Sequence, residues 1–287
     1  MSGQFSSSLG LLPTEAPQAR TYLFVPGNRP ERFGKALASG ADAVVLDLED
    51  AVAAEAKSEA RDAIANWAAT AGSAERVRII IRINDAASSC FTADLRLLSD
   101  TGLAAVMLPK AEAAEEVGAV RAAVPHASVL ALVESARGVA RADVVAGAGG
   151  VMRLAFGTLD YALDLDLDVT EGSDALAYAA SRMAIAARVA GLPTPVAGVT
   201  PQLDDEARLL ADLAWSRRYG FGAKLCIHPK QVAAIHAALA PSPQDLDWAR
   251  RVLAAEAASP GAARLDGRMI DRPVILQAQR TLRRTGS

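Results

Sequence analysis

The chain has 287 residues, 51% of them hydrophobic and 22% charged, with a formal net charge of −3. That length is ample for a buried core, and the near-neutral balance excludes the basic field that nucleic-acid binders carry. Two cysteines and three histidines are too few for a disulfide framework or a paired-cysteine zinc site, and no apolar run is long enough to span a bilayer.

In chain order, the segment from Met1 to Pro17 contains Ser, Gly and Pro and lacks a basic-then-apolar signal pattern, so residues 1–19 read as a flexible leader. Short apolar runs then alternate with Ala-rich stretches of helical spacing. Strands are predicted at Tyr22–Pro26, Ala43–Leu48, Arg78–Ile83, Ala105–Leu108, Val129–Val133, Leu154–Phe156, Pro195–Val199 and Ala223–Ile227. Each is apolar on both faces, as a parallel strand covered by helices must be. Helices are predicted over Glu55–Ala69, Glu112–Val124, Ala175–Ala190 and Asp204–Tyr219, among others. Strict alternation points to a (β/α)8 TIM barrel over residues 20–241. An open doubly wound sheet is the main rival, but Gly147–Gly150 comes late and precedes a strand, so it fails the dinucleotide fingerprint and reads as a turn. Residues 242–287 are surplus to a barrel. They read as a C-terminal helical extension with helices over Leu246–Ala258 and Pro273–Arg284, able to cap its own barrel or reach a neighbour.

In such a barrel the C-terminal ends of the strands face the active site. The residues that follow the apolar runs are Asn28 and Arg29; Asp47, Glu49 and Asp50; Arg82 and Asn84; Lys110; Glu134; Asp160; Thr200; and His228. Glu134 closes one strand and Asp160 follows the next, at one rim, and together they suit a hard cation held by one or two carboxylates; a pair of rim carboxylates matched by Arg is the alternative. Arg82 cannot shed its charge, so it needs either a substrate carboxylate, gripped bidentately, or Glu49. Lys110 is the nominee for a Schiff-base aldolase, but its carboxylate surroundings favour a structural ion pair. His228 reads as a packed or helix-capping imidazole rather than a general base. The run Asp164–Asp168 lacks the Gly and terminal Glu of a calcium loop and reads as solvated. Trp67, Trp215 and Trp248 read as packing residues, Arg280, Arg283 and Arg284 as a solvated helix end, and Cys90 and Cys226 as reduced thiols of a cytoplasmic protein.

The segments Leu23–Pro30, Leu46–Val52, Arg82–Asn84, Met107–Lys110, Leu132–Ser135, Phe156–Asp160, Cys226–Gln231 and Asp266–Asp271 together resemble citrate lyase β-subunit-like proteins. These lie in the superfamily of acyl-CoA lyases and pyruvate-using class II aldolases, and the resemblance runs from Leu23 to Arg284. It implies a magnesium-dependent carbon–carbon lyase that cleaves or forms a short 3-hydroxyacyl-CoA thioester, of malyl-, citramalyl- or 3-hydroxy-3-methylglutaryl-CoA type, giving acetyl-CoA and an oxoacid. It implies Mg2+ on Glu134 and Asp160, substrate contacts from Arg82, Glu134, Gly157 and Asp160, and CoA contacts from Arg29 and Lys35. It also implies that Asp271 reaches a neighbouring subunit's site as an acid/base group, in a homotrimer or a hexamer. Thr158-Leu159 stands where small or acidic residues are common in the family, and Ser135 where Thr is usual. A class II aldolase acting on free 2-oxoacids and an obligate β subunit of a citrate lyase complex are the alternatives.

Overall fold

The computed structural model describes residues 18–170 and 172–284. The predicted leader lies almost wholly outside the described residues. Eight parallel strands close a barrel in sequence order. They are β1 (Thr21–Pro26), β2 (Ala43–Asp47), β3 (Ile79–Arg82), β4 (Ala105–Leu108), β5 (Ser128–Val133), β6 (Val151–Phe156), β7 (Val196–Ala197) and β8 (Ala223–Cys226). β1 closes the ring on β8 through Thr21–Lys224, Tyr22–Leu225 and Leu23–Cys226 pairs.

The core divides as strand alternation requires. One apolar set, including Tyr22, Val45, Ile80, Met107, Leu130, Leu132 and Ala155, fills the barrel interior. A larger set, including Leu23, Val44, Leu46, Ile79, Ile81 and Leu108, lies between strands and helices. Because successive side chains alternate faces, the inward positions at the C-terminal ends of β2, β3 and β5 fall on Asp47, Arg82 and Glu134.

Strand ends lie within three residues of expectation, β4 matching at both ends, and the largest shifts are at β6, which starts earlier, and at β7, which holds only Val196 and Ala197. Pro195 has no N–H to pair, and the Gly198 carbonyl accepts from the Lys224 ammonium at 2.8 Å instead of from a strand. Gly147–Gly150 forms the turn before β6, with Gly150 at φ +101°. Among the described residues no helix is long and apolar enough to cross a membrane.

Beyond the barrel, a helix over Pro243–Ala258 starts earlier than expected. Ser242 caps it, accepting from Asp245 N, and Pro243 sits in the first turn, where its missing N–H costs nothing. A two-stranded hairpin, Arg264–Leu265 with Arg268–Met269, leads to the last helix, Arg272–Arg283. These elements share a small core of their own around Ala249, Val252, Ala263, Ile270 and Ala278, separate from both barrel cores.

Candidate active site at the C-terminal rim

Asp47 and Arg82 are register partners on β2 and β3. Arg82 donates from Nε to Asp47 Oδ1 at 2.7 Å and from Nη2 to Asp47 Oδ2 at 2.6 Å. Asp47 is itself held by the Glu49 and Ala51 backbone N–H groups. The bidentate fork of Arg82 is therefore engaged by Asp47, while Glu49, the protein partner expected as the alternative to a substrate carboxylate, pairs with the remaining amine. What remains is the Nη1 end, which lies 2.8 Å from Glu49 Oε2 and 3.2 Å from Asp50 Oδ2. The guanidinium carbon also sits 4.9 Å from the Phe24 ring centroid, a cation–π contact from β1. Burial works against the Arg82 charge, but Asp47, Glu49 and Asp50 outweigh it and hold its pKa above the ordinary value.

Glu134 is 4% exposed at the end of β5. Its Oε1 accepts the Lys110 backbone N–H at 2.8 Å. Lys110 adopts φ +49°, a left-handed conformation rarely used outside glycine, and the turn there aims that N–H at the carboxylate. Gly157, next to Glu134 across β5 and β6, leaves room for it: a Cβ there would overlap the Glu134 carboxylate. Asp160 is exposed in the first turn of the Thr158–Asp164 helix. Burial pushes the Glu134 carboxyl up to about 8; Glu49 and Asp160 add to the rise, while the Lys110 N–H and Arg82 oppose it. Burial likewise raises Glu49 to about 7 against the pull of Arg82 and Lys110. Both Glu49 oxygens are buried without a hydrogen-bond partner of good geometry, although their ion contacts are close.

The rim thus holds more negative than positive charge in a poorly hydrated place. Among the described residues no group of three or more His, Cys, Asp or Glu is arranged to hold a metal ion. The hard oxygen donors of Glu134 and Asp160 match a cation that takes one or two protein carboxylates and completes its octahedron with water or ligand oxygens, as Mg2+ does. A divalent charge there would also relieve the strain that raises Glu134.

Lys110 Nζ lies 3.3 Å from Glu49 and 4.0 Å from Asp85, and these neighbours raise its pKa, so it is an ion-pair lysine and not a free amine. His228 Nδ1 accepts the Lys230 N–H at the start of the Lys230–Leu239 helix, which is the capping role. Asn84 is consumed by Lys57, Leu48 and Asp94. Within the run Asp164–Asp168, Asp164 accepts the Ala136 N–H and Asp168 caps Thr170. Trp67, Trp215 and Trp248 all pack against apolar neighbours. Arg29 and Lys35 are exposed at the β1 end of the rim. Asp271 is exposed too and caps the last helix, accepting from Val274 N at 3.2 Å; within its own chain it belongs to the extension and not to the rim. Cys226 is fully buried, with burial pushing its thiol up to about 12, and Cys90 is a free thiol.

Residue patterns overlooked Asp47 as the partner of Arg82 and the Lys110 backbone as the support of Glu134. Period-two alternation marks Asp47 and Arg82 as facing the same interior, so the first was recoverable. The second depends on a backbone angle and left no trace in residue types. Lys224, in the apolar strand Ala223–Cys226, was also passed over, although a lysine there is an anomaly in itself.

The sequence model of the HpcH/HpaI aldolase/citrate lyase family matches residues 20–229. A citrate lyase subunit beta-like protein of Mycobacterium tuberculosis is 37% identical over 270 residues, covering 92% of this chain and 95% of the relative. A (3S)-malyl-CoA thioesterase of Cereibacter sphaeroides is 33% identical over 272 residues, covering 93% and 95%. Among solved structures, the M. tuberculosis protein CitE in complex with magnesium, acetoacetate and coenzyme A superimposes with a TM-score of 0.84 at 35% identity, covering 94% of this chain and 98% of that one.

Proposed function

This chain belongs to the HpcH/HpaI aldolase/citrate lyase family, and on that premise we propose that it is a magnesium-dependent lyase acting on the carbon–carbon bond of a short 3-hydroxyacyl-CoA thioester. The products are acetyl-CoA and an oxoacid, and the same site runs the condensation in reverse. The observation that carries this reading is the buried Glu134, positioned by the Lys110 N–H, given room by Gly157 and set against Glu49 and Asp160 in a rim short of positive charge. The magnesium and coenzyme A found with CitE supply the matching ligand chemistry.

In this reading Glu134 and Asp160 hold Mg2+. When bound, the ion supplies Lewis-acid polarisation of the substrate hydroxyl or carbonyl oxygen. The Nη1 end of Arg82 meets the oxoacid carboxylate and the developing carbonyl; Asp47 and the Phe24 ring keep the guanidinium in place. Gly157 lets the substrate approach Glu134 closely. Arg29 and Lys35, both exposed, meet the CoA moiety. Asp271 protonates the enolate carbon from a neighbouring subunit of a homotrimer or a hexamer. Its exposure and the separate core of the 242–287 extension, beyond a barrel unit of 20–241, support that assignment.

The test is acetyl-CoA release by the purified protein from malyl-, citramalyl- and 3-hydroxy-3-methylglutaryl-CoA, with magnesium and then with EDTA. Release abolished by EDTA is expected; no release from any substrate at high enzyme concentration defeats the reading. Asp271→Asn with unaltered activity removes that residue from the chemistry. The likeness to a malyl-CoA thioesterase favours one second reading, in which the thioester of malyl-CoA is hydrolysed. Free CoA and malate appearing without acetyl-CoA would identify it.

A further inference from the structure

Lys224 has no part in the chemistry above. It lies on β8 between Ala223 and Leu225, which face the barrel interior, so its side chain points outward toward the helices. The residue is 2% exposed. Its ammonium donates to the Gly198 carbonyl at 2.8 Å, which uses one of three N–H groups. Among the described residues it has no carboxylate in ion-pair range. Asp212, which lines the same cavity, is already committed: its Oδ1 accepts from Arg208 Nε at 2.8 Å and its Oδ2 from Thr200 Oγ1 at 2.7 Å. Arg208 offsets part of the pull of Asp212, which leaves Lys224 a buried cation with no direct ion-pair partner among the described residues. A charge in that position is costly unless something pairs with it.

Lys224 lines a cavity of about 270 Å3 between the outer face of β7 and β8 and the Glu206–Arg218 helix. The volume is slightly below the roughly 300–1,000 Å3 of drug-sized ligand pockets and far too small for a CoA thioester. Leu176, Val199 and Trp215 supply apolar wall, and Ser173 stands half-buried in its lining.

We infer that this cavity is a binding site for a small monocarboxylate, with the Lys224 ammonium meeting the charge and Leu176, Val199 and Trp215 enclosing a short carbon chain. The Arg208–Asp212 ion pair in the same lining adds no net charge, so the one Lys224 ammonium, with two N–H groups to spare, suits a single negative charge better than a phosphate dianion. Burial lowers the Lys224 pKa to about 8, so the group is still charged at neutral pH. Thr158 and Leu159 form part of the same wall, two residues and one residue ahead of Asp160, so an occupant lies against the helix that carries that carboxylate. The site is independent of the lyase reading, because it uses no rim carboxylate and no metal.

The experiment is calorimetric titration of the full-length protein in EDTA with butyrate, butyramide and inorganic phosphate. The proteins compared are the wild type, Glu134→Gln, Lys224→Met and Ser173→Trp. Saturable butyrate binding is expected in the wild type and in Glu134→Gln. It should weaken at least about tenfold, or ~1.4 kcal/mol, in Lys224→Met, which removes the charge, and in Ser173→Trp, which fills the cavity. Butyramide and phosphate should bind at least about tenfold more weakly than butyrate. If Lys224→Met does not fold, Ser173→Trp decides. Four results overturn the inference: no saturable butyrate binding to the wild type, binding unchanged in the folded variants, binding lost in Glu134→Gln, or butyramide or phosphate binding as tightly as butyrate.

Discussion

Two arginines point into this barrel from opposite ends, and their surroundings differ in kind. Arg153, 4% exposed near the N-terminal end of β6, donates to the carbonyls of Thr194 and Ala19, each at 2.6 Å, and to the Tyr22 hydroxyl at 3.0 Å. Arg82, 9% exposed at the C-terminal end of β3, is surrounded by Asp47, Glu49 and Asp50. Each lies against an aromatic ring of β1, Tyr22 below and Phe24 above, two residues apart on the same inward face. Neutral carbonyls satisfy an arginine's donors and leave nothing to exchange, so Arg153 ties the ends of three strands together. Carboxylates in excess make the upper network sensitive to any added charge, so a metal or an anionic substrate changes it. In the proposed reading the bottom of the barrel serves stability and the top holds the chemistry, as the general pattern for this architecture has it.

The contrast can be broken by substitution. The largest effect is expected at Glu134→Gln. Loss of kcat/KM should exceed the roughly 10–100-fold typical of groups that merely support a metal ligand, while the melting temperature without metal at neutral pH stays level, because the raised carboxyl is already protonated there and an amide oxygen can still accept the Lys110 N–H. Steady-state acetyl-CoA release and calorimetric melting measure the two.

Arg82→Met comes next. It leaves Asp47 buried without its partner, and about 3–5 kcal/mol of stability should be lost along with activity. Arg153→Met is the control from the other end. Strand-end carbonyls lose their donors at a cost of about 1–3 kcal/mol, yet kcat/KM should hold within about twofold in the folded protein. Urea melts paired with kinetics test both, and equal activity losses in the two variants would dissolve the distinction between the ends.

Gly157→Ala sharpens it within the upper network. The added methyl must displace the Glu134 carboxylate, and a shift on the order of 1 Å costs about 100-fold in rate. Magnesium titration should report weakened binding in the same variant.

The smallest effect is a proton. Glu134 is raised from its ordinary 4.5 to about 8. Below pH 8 magnesium must therefore displace a proton, and its apparent affinity should climb by up to about tenfold per pH unit until pH 8. Without metal, the folded state holds that proton more tightly than the unfolded chain. This contribution to stability is complete below pH 4.5 and is lost as the pH rises through about 8. Calorimetry in buffers of different ionisation heat should find close to one proton released per ion at pH 7.

Much of this molecule is determined by residue order alone. Apolar runs such as Ile79–Ile81 and Val129–Val133 can only be buried on both faces, and their alternation with amphipathic stretches leaves a closed barrel as the economical solution. Where a run ends in a charge, alternation also assigns it a side, which places Arg82 and Glu134 at the inner rim from residue order; Asp160 follows its run in a helix. The tertiary structure decided who meets whom. Asp47 took the fork of Arg82 because neighbouring parallel strands place them in register, a relation 35 residues apart in the chain. The Lys110 N–H reached Glu134 because one backbone angle turned left-handed. Lys224 has no direct ion-pair partner, while Asp212 pairs with Arg208, four residues away on a shared helix. Burial and long-range partners set these outcomes, and neither is a property of any single segment.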